Sequence, residues 1–159
     1  MLNNRFSQFV AYFRQLAQEH IQINDFIHGT AADVMGKSRS DLNYPLLWLE
    51  TPYLKINDNQ VGNIEGVRSS AFIILWNTPE KTAEEIDLVW EKTEVIALDV
   101  LSRMRKDAKA RLFHFRLSEA SLDPISTLFI DNDYGWRVEF GLDKKLDLCF
   151  DPTKWIANG

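Results

Sequence analysis

The segment AADVMGKS, from Ala31 to Ser38, has the spacing of a loose phosphate-binding loop: a small residue, four arbitrary residues and then Gly-Lys-Ser. Such a loop binds phosphate when it leaves a buried strand and opens a helix, because backbone N–H groups and the helix dipole then converge on the anion. Here the preceding residues continue an amphipathic helix into a polar exit, and Pro45 follows Lys37 after eight residues. Ala31 also replaces the usual glycine. We therefore predict a solvated loop and no bound nucleotide.

The segment DNDYG, from Asp131 to Gly135, resembles the beginning of a calcium-binding loop. However, its glycine comes one residue too early for the bend, and Leu142 occupies the position of the closing bidentate glutamate. Asparagine and aspartate tolerate left-handed backbone conformations, so the segment predicts a hairpin turn rather than a metal site.

The chain has three histidines, His20, His28 and His114, and one cysteine, Cys149, at spacings that no zinc site uses. Cys149 lies between two large apolar residues, which is typical of a small buried side chain. His20 falls on the apolar stripe of the first predicted helix, where we expect a hydrogen-bonded core histidine. A Cys149–His114 pair on neighbouring strands needs a third group to orient it, and the sequence supplies none. We predict no catalytic residue, no metal and no cofactor.

Composition and charge exclude several classes of partner. The chain has 159 residues, which suits one domain, and a formal net charge of -5. Nucleic acids and anionic membranes attract an excess of lysine and arginine, so neither partner is expected. A single cysteine fits a reducing compartment, and the amphipathic start MLNNRFSQFV does not have the continuous apolar core of a signal peptide. We therefore expect a soluble, cytoplasmic domain.

Apolar residues spaced three and four apart predict an amphipathic helix from the N-terminus to about Asn24. The polar stretch at 28–45 is eighteen residues long, so it is either a functional loop or contains a short helical turn. The next two segments, PLLWLETPYLKI and SSAFIILWN, are apolar at consecutive positions. This pattern predicts two strands that are covered on both faces.

A long helix is predicted after Pro79, because Thr82 and Glu85 have the spacing of a capping box. Its main apolar stripe runs to Met104, and a basic run at 103–111 complements the dipole of its carboxyl end. A second apolar patch projects from the opposite side and consists of Leu88, Val95 and Leu98. A helix on the surface of a monomer needs one stripe only, so this patch indicates either a partner or cover by the chain's own tail or loops.

The last third predicts four strands, RLFHFRLSEA, STLFI, WRVEFGL and LDLCF, with turns at DNDYG and at 143–145. The element order is then α-β-β-α-β-β-β-β. Short connections favour a mainly antiparallel sheet that packs against the N-terminal helix and the long central helix, an α+β fold in one domain over 1–159. The C-terminal tail at 151–159 carries Trp155 and Ile156, which either dock on their own fold or anchor to a neighbour.

With its elements in this order, the chain resembles the tail-terminator or neck proteins of tailed phages and related contractile particles. The resemblance lies in the N-terminal helix and in the segments NYPLLWLETP, SSAFIILWNTP, EEIDLVWEKTEVIALDVLSRMRKD and DYGWRVEFGL. It implies a ring-forming structural subunit with a central sheet, without catalytic residues, that contacts tail-tube and head-side proteins. It also implies a virion-associated location in place of the cytoplasmic one.

The leading hypothesis is therefore a non-enzymatic assembly subunit that self-associates and contacts other tail or head–tail proteins. Its candidate contact residues are Leu88, Val95, Leu98, Lys37, Arg39, Trp155 and Ile156. The alternative is a small-molecule or peptide binding module with a pocket between the sheet and the long helix. That pocket is expected to be lined by some of Trp48, Trp76, Trp90 and Trp136. A hydrolytic or metal enzyme comes third, because it requires polar groups that converge in a cleft.

Overall fold

The structure is a computed structural model that describes residues 5–35, 41–58, 64–79, 82–126, 133–146 and 148–156. The helices and strands are, in chain order, α1 (Phe6–Glu19), β1 (Asp25–Gly29), α2 (Ala31–Met35), β2 (Leu46–Glu50), β3 (Tyr53–Asp58), β4 (Ile64–Asn77), α3 (Ala83–Lys109), β5 (His114–Phe115), β6 (Ser121–Ser126) and β7 (Asp133–Lys145). Short 3-10 helices occupy Leu117–Glu119 and Pro152–Lys154.

The seven described strands form one sheet around the two longest, β4 and β7, which pair antiparallel along their whole length. β2 and β3 lie one after the other along the outer side of β4, and β6 and β5 do so along β7. β1 extends the sheet beyond β2 and is parallel to it, whereas the other pairings among the described strands are antiparallel. This is the α+β class that the sequence predicts, with a mainly antiparallel sheet.

The centre of the sheet is covered on both faces, because alternate residues of β2 and β4 enter two separate apolar clusters. Leu47 and Phe72 belong to the cluster that α1 and α3 cover. Trp48 and Ile73 belong to the other cluster, which Val34 of α2 helps to cover. These four side chains are at most 2% exposed, so the predicted two-sided burial of β2 and β4 is confirmed.

The long helix α3 begins where the sequence predicts. The Thr82 Oγ1 accepts a hydrogen bond from the Glu85 N–H at 3.4 Å and donates one to the Glu85 carboxylate at 2.8 Å. Because a free backbone N–H of the first turn is satisfied in this way, the helix starts at Ala83 and continues for 27 residues. Among the described residues, no helix combines the length and the apolar character that a membrane crossing requires.

The region between α1 and β2 differs from the prediction. α1 ends at Glu19 rather than near Asn24, since the backbone of His20 is already extended. Residues 25–29 form the unpredicted strand β1, whose backbone groups pair with β2. The stretch at 28–45 contains the end of β1 and the five-residue helix α2, so the alternative of a helical turn is confirmed.

The segment PLLWLETPYLKI forms two strands rather than one. Pro52 lies between β2 and β3, and a proline has no N–H with which to continue the pairing. Both strands nevertheless pair with β4, because β4 is 14 residues long and extends past the break. The sequence predicts that NDNQVGN reverses the chain. Residues 59–63 of this segment lie outside the described residues, but the strands on either side of it, β3 and β4, are antiparallel, as a reversal requires.

The last third contains three described strands where four were predicted. RLFHFRLSEA contributes only the two-residue β5, and the predicted turn at 143–145 is wrong because β7 runs through it and pairs with β4 as far as Lys145. The described residues of LDLCF, 146 and 148–150, form no strand. Of the predicted strand STLFI, residues 127–130 lie outside the described residues, as do Asp131 and Asn132 of DNDYG. The following Asp133–Gly135 begins β7, which forms an antiparallel pair with β6.

Candidate functional site: interaction surfaces

The outer side of α3 carries an uncovered apolar patch. Leu88, Val95 and Leu98 are 50%, 50% and 48% exposed, although their neighbours Ile96 and Ala97 are fully buried against the sheet. The alternative of cover by the chain's own tail is wrong for the described part of that tail, 148–156, because the three side chains of the patch stay about half exposed. The sequence therefore located an exposed patch correctly, and its partner stays a prediction.

The C-terminal segment is a second exposed apolar surface. Trp155 and Ile156 are 68% and 93% exposed, so these two side chains do not dock on their own fold. The Phe150 ring stacks on the Trp155 ring with 6.0 Å between centroids. Hydrogen bonds from Thr153, whose hydroxyl donates at 2.7 Å, and from Lys154 lower the pKa of Asp151. The segment is thus locally ordered by its own contacts while its aromatic side chains face solvent.

A third exposed apolar surface, on β3, was not among the predicted contact residues. Leu54 and Ile56 are exposed on one face of this strand and Tyr53 on the opposite face, and the strand pairs with residues 64–69 of β4. The prediction treated the whole of PLLWLETPYLKI as a strand with two covered faces, and that description fails after Pro52. A sequence signal existed, since the proline separates the apolar run LLWL from the mixed run YLKIND.

The phosphate-loop motif falls partly outside the described residues. Lys37 and Arg39 belong to 36–40, so their predicted contact role stays a prediction. Contrary to the expectation from the sequence, the strand β1 precedes the motif, and β1, α2 and β2 form a parallel β-α-β unit. Even so, the described residues 31–35 are helical before the glycine, whereas a phosphate loop opens its helix after that glycine.

A reciprocal cap explains the local structure of this motif. The Asp33 carboxylate accepts hydrogen bonds from the Thr30 N–H at 2.9 Å and from the Thr30 hydroxyl at 2.7 Å. The Thr30 hydroxyl in turn accepts one from the Asp33 N–H at 3.2 Å. These hydrogen bonds lower the pKa of Asp33, and the bond from the Thr30 hydroxyl has the largest effect. The capping pair therefore explains why a helical turn begins at Ala31, before the glycine of the motif.

The histidines and the cysteine do not converge on a catalytic arrangement. The His20 Nδ1 accepts a hydrogen bond from the Gln22 N–H at 3.2 Å, and its Nε2 lies 3.5 Å from Asp99, so it is hydrogen-bonded but lies at the helix end rather than in the core. The exposed His114 lies 2.6 Å from Asp143. Cys149 is exposed, so its predicted burial is wrong, because no strand follows β7 to enclose it within 148–156. Among the described residues, no cluster of three or more His, Cys, Asp or Glu side chains has the geometry of a metal site.

The four tryptophans of the predicted pocket lie in two places. Trp48 belongs to the cluster on the α2 side of the sheet, and its indole donates to the Gly29 carbonyl at 3.0 Å. Trp76 and Trp136 pack against the cluster on the α3 side. The Trp136 indole donates to the Trp90 carbonyl at 3.0 Å, which ties β7 to α3. The sheet therefore separates Trp48 from the other three, which leaves Trp76, Trp90 and Trp136 on the side of the predicted pocket, and that pocket stays a prediction.

A polar network joins α1 to α3 beside a cavity of about 270 Å³. The Tyr12 hydroxyl donates to the buried Asp107 at 3.0 Å, and the Arg103 guanidinium donates to the same carboxylate at 3.1 Å. Burial, followed by the charge of Asp107, raises the pKa of Tyr12. The hydrogen bond to Asp107 raises the pKa of Arg103, which also lies 2.8 Å from Glu19. The sequence did not indicate this network, since Tyr12 and Asp107 are 95 positions apart.

No protein-family model matches this chain, and no curated protein shows significant similarity to it.

Proposed function

We propose that this protein is a non-enzymatic structural subunit that acts through protein–protein contacts and self-associates. The observation that carries the proposal is the exposure of the apolar patch on α3 although the helix already buries a complete stripe against the sheet. Large exposed apolar patches are uncommon on monomeric soluble proteins and mark interaction surfaces. The exposed aromatic segment at 148–156 supports the same function, because aromatic side chains are enriched at the anchors of interfaces.

The finer proposal is a ring-forming tail or neck component of a phage-like particle. The exposed apolar side chains on β3 and in the 148–156 segment support it, since a ring requires each subunit to present different surfaces to its two neighbours. The resemblance of the sequence to tail-terminator or neck proteins is the reason for this choice of particle. In that case the partners are tail-tube and head-side proteins.

Light scattering coupled to size exclusion tests self-association. We expect the molar mass to rise with protein concentration and electron micrographs of the concentrated protein to contain closed rings. A protein that stays monomeric over the whole concentration range contradicts the proposed function. Association without rings contradicts only the finer proposal.

A second candidate is the binding of a small polar molecule in the cavity between α1 and α3. It is favoured by Gln8, which lines that cavity and whose buried side-chain oxygen accepts no hydrogen bond from any described residue. A ligand with a hydrogen-bond donor satisfies this oxygen. A thermal-shift screen of small polar compounds tests the candidate, with Gln8→Leu as the variant in which a stabilising compound must lose its effect.

A further inference from the structure

The exposed residues of α3 continue the apolar patch into a seam along the whole helix. We call this seam the outer stripe; its members are separated alternately by four and three positions and are Glu84, Leu88, Glu91, Val95, Leu98, Ser102, Arg105 and Lys109. Every one of them is exposed. Alternating steps of four and three positions are the spacing with which one helix packs along another in a coiled coil. The outer stripe therefore has the geometry of a helix–helix contact.

The charges on α3 differ strongly between its two halves. Residues 83–95 contain five acidic side chains and one lysine, whereas residues 96–109 contain four basic and two acidic side chains. The helix dipole accounts for charges in the first and last turns only, because its influence falls off within one turn. Glu91 and Glu94 lie more than one turn inside the helix. Arg103 does too, but its guanidinium is paired with Asp107 and Glu19 on the α1 side. The separation of charge thus extends along the helix beyond what the dipole explains.

We propose that the outer stripe binds a second copy of this chain, with the two α3 helices antiparallel about a twofold axis; this inference rests on the proposed self-association. Antiparallel pairing sets the acidic half of each helix against the basic half of the other, whereas parallel pairing sets like charges together. A twofold axis makes the contact self-complementary, so one surface suffices for both copies. Charge complementarity therefore selects a second copy, in this orientation, as the occupant.

The register follows from the positions on the outer stripe. When Val95 of each copy lies beside Leu98 of the other, four apolar side chains meet at the twofold axis. Leu88 then lies beside Arg105 of the other copy, whose aliphatic stem covers apolar surface while its guanidinium reaches water. At each end of the contact, Glu84 lies beside Lys109. One register therefore satisfies both the apolar centre and the charged ends.

The contact is small, which determines the concentrations at which it forms. A helix of 27 residues is about 40 Å long, and a seam about 10 Å wide buries roughly 400 Å² per copy, about half of a standard interface. We therefore expect a dimer with a micromolar dissociation constant. Sedimentation equilibrium between about 5 µM and about 500 µM covers this range.

The first test replaces an apolar residue at the twofold axis. Val95→Glu places a carboxylate from each copy beside the apolar centre, and we expect at least a tenfold weaker association. Ile21→Glu is the matched control, because Ile21 is 97% exposed and lies outside α3. Circular dichroism of both variants establishes that each is folded. If the wild type associates and Val95→Glu associates equally well, the inference is overturned while the proposed function stands; a monomeric wild type overturns both.

The second test separates an antiparallel second copy from any other occupant. Glu84→Lys and Lys109→Glu each bring like charges together at both ends of the dimer, so we expect roughly five- to tenfold weaker association at low salt. The double variant restores opposite charges between the copies and is expected to recover wild-type association. Both substitutions oppose the dipole of their own helix, so recovery in the double variant cannot come from helix stability. Failure of the double variant to recover overturns the antiparallel pairing, with the 148–156 segment of a neighbouring copy as the next occupant to consider.

Discussion

The two sides of α3 carry the same types of apolar residue, but one side is buried and the other is exposed. Ile96 and Ala97 face the sheet and are fully buried, whereas Val95 and Leu98, their direct neighbours in the chain, are about half exposed. The inner side contributes to folding because its apolar surface leaves water when α3 packs on β4 and β7. The outer side contributes nothing comparable to the folding of a single copy. Residues of the inner side therefore stabilise the fold, whereas residues of the outer side are available to bind a partner.

The largest expected effect comes from truncating neighbouring residues on the two sides of α3. Ile96→Ala removes buried methyl groups and leaves a cavity, so we expect the free energy of unfolding to fall by about 2 to 5 kcal/mol. Val95→Ala removes exposed atoms and is expected to change it by less than about 0.5 kcal/mol. Urea denaturation at protein concentrations where the chain is monomeric measures both. Equal losses for the two variants contradict the assignment of sides.

The polar part of the inner side is tested by Tyr12→Phe. This variant removes the hydrogen bond to Asp107 while the Arg103 contact remains, so we expect a loss of about 1 to 2 kcal/mol of unfolding free energy. Tyr53→Phe is the matched control, since Tyr53 is exposed on β3, and it is expected to behave as the wild type. Urea denaturation at neutral pH compares the three proteins, and equal stabilities rule out a contribution from the α1–α3 network.

The same tyrosine predicts a pH dependence. Burial raises the pKa of Tyr12 in the folded protein, so above the unfolded pKa of about 10 the unfolded chain loses a proton that the folded chain retains. The unfolding free energy then falls as pH rises, by at most about 1.4 kcal/mol per pH unit from this group, and its full contribution is present below about pH 10. Comparison with Tyr12→Phe isolates the effect from other alkaline titrations. A difference between the two proteins that stays constant from about pH 9 to about pH 11 contradicts the prediction.

The smallest change in stability is expected from the start of α3, where the cap stabilises the helix as a whole and neither side in particular. Thr82→Ala removes the oxygen that accepts the Glu85 N–H, and we expect a loss of about 1 kcal/mol. Ser102→Ala is the matched control because it makes the same kind of truncation in the middle of the outer stripe, where alanine favours the helix. Thermal denaturation of the monomer measures which of the two variants is the less stable. A Thr82→Ala variant that is as stable as Ser102→Ala contradicts a contribution from the cap.

Part of the fold was predictable because local signals agree with tertiary packing. The start of α3 follows from Thr82 and Glu85, and the two-sided burial of β2 and β4 follows from their consecutive apolar residues. The exposure of Leu88, Val95 and Leu98 was predictable for the same reason, since helical periodicity places them opposite the main stripe.

The strands at the margins were not predictable in this way. β1 has a mixed burial pattern and exists through its pairing with β2. β7 continues through a turn-like Asp-Lys-Lys segment because β4 offers pairing partners as far as Glu65. Cys149 has the apolar neighbours of a buried residue and is exposed, because no adjoining strand covers its segment within the described residues. In each case the presence or absence of a neighbouring strand decides the structure, and the local sequence pattern does not.

The sequence by itself determined the class of fold, the limits of α3 and the existence of two apolar sides on that helix, because these depend on spacing along one element. The tertiary structure alone decided that the sheet separates Trp48 from the other three tryptophans of the predicted pocket, and that Tyr12, Asp107 and Arg103 form one network. These features depend on contacts between residues far apart in the chain, and periodicity carries no information about such contacts. The physical reason is that burial is a property of two surfaces, and a single element specifies only one of them.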